Sequence, residues 1–83
     1  MIVSYDSSVD AIYFKLIDRK IHSTEPKTSK IIIDYDDQNN IVGIEVLDFQ
    51  FLITKKGLTV NDLPFPEKLL GEASQYFNSP ITV

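Results

Sequence analysis

Residues 34–45 read DYDDQNNIVGIE, and two incompatible structures share those letters. As a calcium loop, Asp34, Asp36 and Gln38 fill the first, third and fifth positions and Glu45 the twelfth, where an EF-hand places oxygen ligands. As a hairpin, the same residues end one strand, make a polar turn and begin the next. The flanks choose between them. An EF-hand loop lies between helices, whereas KIII before this segment and GIEVLDF after it are rich in β-branched residues and alternate with the period of a half-buried strand. Asn39 stands where the calcium loop requires glycine, and because Asn tolerates a left-handed backbone it serves a tight turn equally well. The expectation is a hairpin in which Asp36 and Asn39 or Asn40 make the turn, with Asp34 and Glu45 close together on one solvent face. Like charges so placed repel unless a cation or a basic side chain lies between them, so a weak divalent-cation site at Asp34, Asp36 and Glu45 is an alternative reading.

Outward from the hairpin the strand pattern continues. IVSY (2–5) is β-prone, DSSVD (6–10) is a turn, and AIYFKLI (11–17) alternates Ile12, Phe14 and Leu16 with Tyr13 and Lys15. After DRK (18–20), the polar stretch IHSTEPKTSK (21–30) holds Pro26, which has no amide to donate, so it is an edge strand or a loop. Beyond Phe49 the breakers Gly57, Pro64 and Pro66 mark a loop. From about Pro66 a helix is expected, with Leu69, Leu70, Ala73 and Phe77 on one apolar face, and residues 79–83 as a frayed tail. These elements describe an α+β fold. An antiparallel β-meander of about four strands, with room for a short fifth, is covered on one face by a C-terminal amphipathic helix, and residues 1–83 form a single domain.

Composition narrows the function. A chain of 83 residues buries only about 60–65% of the surface that it exposes when unfolded, so its stability is marginal and a homodimer or another protein partner is expected to share its surface. There are no cysteines, which excludes disulfides, thiolate catalysis and thiolate metal centres. No signal-like N-terminus and no apolar run of membrane-spanning length occur, so a cytoplasmic protein without membrane contact is expected. Charge is unevenly placed: residues 31–50 hold five acids (Asp34, Asp36, Asp37, Glu45, Asp48) and no base, while the remaining chain is nearly balanced. Such a segment disfavours nucleic acid and favours a basic protein surface, with Asp34, Asp36, Asp37 and Glu45 as the candidate contacts.

Signals for catalysis are weak. His22 is the only histidine, and neighbouring strand residues point to opposite faces, so it would not meet Ser23 as a base meets a nucleophile. Asp6 and Asp10 flank a turn and read as local partners for backbone amides. A small carboxylate-dependent hydrolase would need a cleft that separates two carboxyl pKa values, which a flat sheet does not offer. No phosphate-binding glycine motif is present, and the acidic balance disfavours nucleic acid even though Tyr13, Lys15 and Tyr35 could compose a small aromatic and basic face. No cofactor is implied, and the chain reads as a non-enzyme.

Two blocks, YDSSVDAIYFKL and DYDDQNNIVGIEVLD, in this order, closely resemble a small prokaryotic family known as domain of unknown function 2283. Its members read like YDxxxDAxYxxL, a polar linker, then DYDxxGxIVGIEIL. Carried over by position, the pattern falls on Tyr5, Asp6, Asp10, Ala11, Tyr13 and Leu16, then on Asp34, Tyr35, Asp36, Ile41, Gly43, Ile44, Glu45 and Leu47. Asn39 departs from the family's turn glycine, and the resemblance covers roughly residues 3–49. It implies no established activity; it points to a place beside small toxin-like proteins, as an antitoxin or an accessory subunit. Together with the acidic segment, this makes a non-enzymatic protein–protein interaction module that binds a basic partner the expected function.

Overall fold

Two of the three hairpins of the sheet are built by one local device, an aspartate that opens the turn and a residue in left-handed conformation that closes it. At the first turn Asp6 Oδ1 accepts the Ser8 amide (3.0 Å) and Ser8 hydroxyl (2.6 Å), and Asp10 adopts φ 53°. At the second, Asp36 Oδ1 accepts the amides of Gln38 (2.9 Å) and Asn40 (2.8 Å), and Asn39 adopts φ 63°. Short polar side chains that bond their own backbone are the residues able to do this without glycine. In the computed structural model, which describes residues 1–78, segment 34–45 is therefore a hairpin and not an EF-hand loop.

Five antiparallel strands form one sheet: β1 (Ile2–Asp6), β2 (Ala11–Lys15), β3 (Ser23–Pro26), β4 (Ile31–Tyr35) and β5 (Ile41–Val46). Their spatial order is β1-β2-β5-β4-β3, which corrects the expected meander. Instead of following β2, strand β3 lies at the far edge, and β5 enters between β2 and β4. Three consecutive hairpin-linked strands with a fourth joined by a long connection make a Greek key. Burial explains the order. β5 is the most enclosed strand, and its inward residues Val42, Ile44 and Val46 are fully buried. A strand of that kind belongs inside a sheet. In β3, STEP, every residue is exposed, and Pro26 cannot donate to a ladder on both sides, so it belongs at an edge.

The inner face carries the core in registered rows. One row runs Val3–Phe14–Ile44–Ile33 and the next Tyr5–Ile12–Val46–Ile31. Phe14, Ile44 and Val46 are inaccessible to solvent, and each such side chain contributes about 1.5–3 kcal/mol by leaving water. The Phe49 ring stands edge-on to Phe14 at 6.3 Å and tilted to Tyr5 at 6.4 Å.

By internal contacts the chain forms two compact units, 1–49 and 50–83. A helix begins at the last residue of the first unit and continues into the second, where the sequence predicts a loop. This helix, α1 (Phe49–Lys56), ends at Gly57 with φ 68°, where the Leu58 amide turns back to the Leu52 carbonyl at 3.0 Å. Its sequence signal is Lys55-Lys56-Gly57, two bases that complement the helix dipole followed by a glycine stop. Ile53 and Thr54, both β-branched, obscure it. A second helix, α2 (Leu70–Asn78), follows a short 3₁₀ turn at Glu67–Leu69, close to its expected start. Within this unit Ala73 and Phe77 are buried, and Phe77 meets the Phe65 ring edge-on at 6.3 Å. The frayed tail expected at 79–83 lies outside the described residues.

Candidate functional site

The outer face of the sheet holds a chain of hydrogen bonds that crosses four strands. Tyr13 on β2 donates its hydroxyl to Asp34 Oδ2 on β4 (2.7 Å), and Thr24 on β3 donates to Asp34 Oδ1 (2.6 Å). Between β2 and β4 lies β5, and the tyrosine ring crosses it above Gly43. A Cβ on Gly43 would stand 1.9 Å from the Tyr13 hydroxyl oxygen and 2.3 Å from the ring carbon bearing it, so only glycine admits this path. Burial, the bond to Asp34 and the charges of Asp34 and Glu45 together push the Tyr13 phenol well above its ordinary range. The phenol is therefore a fixed donor. This strap, which local sequence patterns do not reveal, fastens the exposed edge strand β3 to the sheet.

A second polar cluster lies at the end of the sheet where β4 turns into β5. The connection from β2 to β3, residues 16–22, passes this turn, and its Arg19 guanidinium approaches Asp36 Oδ2 at 3.7 Å and Asp37 Oδ1 at 3.9 Å. The connection is also held by backbone bonds from Leu16 to Val42 (2.7 Å) and from His22 to Tyr35 (2.7 Å). Asp36 is only 1% exposed. Burial alone would raise its carboxyl, but the amides of Asn40 and Gln38, the Asn40 carboxamide (3.2 Å) and Arg19 outweigh this and hold it below the ordinary carboxylate value. Asp36 is thus closed to a partner, contrary to the expectation that it is a contact residue.

The four candidate acids therefore do not form one surface. Asp34 is on the outer face with both oxygens bonded, Asp36 is inside the turn, and Asp37 is 70% exposed beside Arg19. Glu45 lies on the outer face of β5, opposite Tyr13 and Ile32. Asp34 pairs with Gly43 in the register, so the two outer-face acids are diagonal neighbours and not a facing pair. Among the described residues no group of three or more His, Cys, Asp or Glu is placed to hold a metal ion, and Asp34, Asp36 and Glu45 do not converge on one.

Two shallow recesses in the first unit each contain two carboxylates. One, of about 290 Å³, is lined by Arg19, Lys20, Ile21, His22, Asp36 and Asp37. The other, of about 330 Å³, lies beside β1 and includes Asp6 and Glu45. The Ser8 hydroxyl and amide hold the Asp6 carboxyl below its ordinary value, as the turn does for Asp36. That is the opposite of what a general acid needs. Asp6 binds its turn as expected, whereas Asp10 also accepts the Tyr5 hydroxyl at 2.7 Å. Tyr13 and Lys15 share the outer face, but Lys15 is paired with Asp18 at 3.2 Å.

Fold and side chains define a small antiparallel Greek-key sheet whose polar residues mostly secure turns and cross-strand ties. The model of the family described as Protein of unknown function (DUF2283) matches residues 2–50, and the chain belongs to that family. No curated protein and no solved structure matches it. The motif positions now have physical roles in this chain. Tyr5 is tied to Asp10 and Tyr13 to Asp34, Gly43 clears a path for the Tyr13 ring, and Asp6 and Asp36 organise the two turns.

Proposed function

We propose that this protein is a non-enzymatic interaction module that binds a basic protein partner, as an antitoxin or an accessory subunit does. The observation that carries this reading is the unequal protection of the two sheet edges. At the β3 edge stand Pro26, which has no amide, and Glu25, with Lys27 directly after and Thr24 tied down by Asp34. Proline and charge are standard means of preventing another strand from pairing. The other edge, β1 (IVSYD), has no proline or lysine, and its one charge, Asp6, is held in the turn by Ser8; Ile2 on it is 67% exposed and Val9 in the turn that follows 61%. An unprotected β-prone edge with exposed apolar residues supports strand addition by another polypeptide. The exposed acid Asp37, the half-buried Glu45 and the net charge of −4 support a basic polypeptide.

The test is to purify the full chain from its native host at moderate salt, rebuild any complex from its separated components, and follow hydrogen exchange at the β1 amides. A stoichiometric basic protein that slows exchange at β1 and leaves on raising the salt is the expected result. A chain that emerges alone, or a complex that leaves β1 exchange unchanged, would overturn the reading.

A further inference from the structure

We infer that the recess beside β1 receives one arginine side chain, carried by a partner segment that adds to the sheet alongside β1. This rests on the strand-addition reading above and specifies what the added strand must contain. The recess, about 330 Å³, lies on the outer face, with Ser4 and Asp6 of β1, Ala11 and Tyr13 of β2, Val9 of the turn and Glu45 of β5 along it. Its charged residues, Asp6 and Glu45, are both acidic, so the recess complements a cation. They differ in availability. Asp6 is occupied by Ser8, whereas Glu45, half-buried, has no hydrogen bond or ion pair among the described residues.

Register gives the route. Ser4, Tyr13 and Glu45 form one row running inward from the open edge. Ser4 is small, and the Tyr13 ring is drawn over Gly43 toward Asp34, away from β1, so of Tyr13 it is the part near the backbone that stands between Ser4 and Glu45. A residue on an added strand opposite Ser4 would lie three strand spacings from Glu45, about 14 Å. Two long side chains extended toward each other are needed to close that gap, which favours arginine. The guanidinium fork also matches a carboxylate in two parallel hydrogen bonds, which an ammonium group cannot do.

The probe is a synthetic ten-residue peptide of alternating valine and threonine with one central arginine, compared with the same peptide carrying citrulline, its neutral isostere. Binding to the full chain is followed by amide chemical shifts and hydrogen exchange. The arginine peptide is expected to protect β1 amides, to shift Glu45 and Tyr13, and to bind at least about tenfold more tightly than the citrulline peptide, a preference worth about 1.4 kcal/mol. Glu45→Gln should remove the preference while leaving the melting curve in place, and Ser4→Leu, which narrows the recess without changing charge, should reduce it. Equal binding of the two peptides, with β1 protected by both, would overturn the arginine inference and leave strand addition standing. A preference that survives Glu45→Gln would likewise overturn it. Failure of both peptides to protect β1 would overturn strand addition as well. A chain already dimeric, with β1 protected before peptide is added, would assign the edge to a second copy and overturn the inference.

Discussion

Substituting Gly43 by alanine is the most direct test of the outer-face strap. The backbone of Gly43 is not left-handed, so alanine is compatible with its conformation, and the effect must come from the added methyl group. That group would meet the Tyr13 hydroxyl oxygen at 1.9 Å, a separation that side-chain carbons do not tolerate, so the ring has to leave its place. Leaving breaks the 2.7 Å bond to Asp34. A hydrogen bond to a charged acceptor contributes about 1.5–3 kcal/mol, and partial exposure puts this one toward the lower end. Against the loss stands a gain of about 0.5–1 kcal/mol from replacing glycine within a strand. The net expectation is about 1–2 kcal/mol of destabilisation once lost ring packing is included, lowering Tm by roughly 5–15 °C in a domain of this size. The decisive comparison is the same change made in Tyr13→Ala. With no ring to displace, Gly43→Ala should become neutral or stabilising, so urea denaturation of the four proteins should give a coupling energy of about 2 kcal/mol. Equal effects of Gly43→Ala in both backgrounds would refute the strap.

Three further outcomes follow from the same geometry. The Tyr13 phenol, above its unfolded value of 10.0 in the folded chain, contributes stability that is complete below pH 10 and is lost as pH rises toward the folded-state value; Tyr13→Phe should flatten that alkaline limb in denaturation curves. The depressed Asp36 carboxyl behaves oppositely: its contribution is present above the unfolded value of 3.8 and is lost as pH falls through the lower folded value, so Asp36→Asn should make the acid limb shallower. Asn39→Val, which forces a β-branched residue to φ 63°, should destabilise the hairpin by about 1–2 kcal/mol by urea titration, whereas Asn39→Gly should be neutral or slightly stabilising.

The sequence by itself determined the local structure, because that structure depends on neighbours. Alternation in AIYFKLI and KIIID selected strands and their inward faces, Asp36 and Asn39 identified the turn, and Pro26 marked β3 as unsuited to the middle of a sheet. Strand-like flanks were enough to reject a calcium loop at 34–45. The tertiary structure decided which strands are neighbours. Local periodicity is the same whether β5 pairs with β4 alone or with β2 as well, so the Greek-key order depends on which strand buries most, a property of the whole sheet. The same limit applies to the acids. In sequence, Asp34, Asp36, Asp37 and Glu45 are a run of equivalent charges, but partners as remote as the Tyr13 hydroxyl and the Arg19 guanidinium separate them into a strap, a turn anchor and an exposed charge, and leave Glu45, on the interior strand β5, without a hydrogen bond or ion pair among the described residues. A carboxylate's role is set by the donors around it, and folding brings those donors from distant parts of the chain.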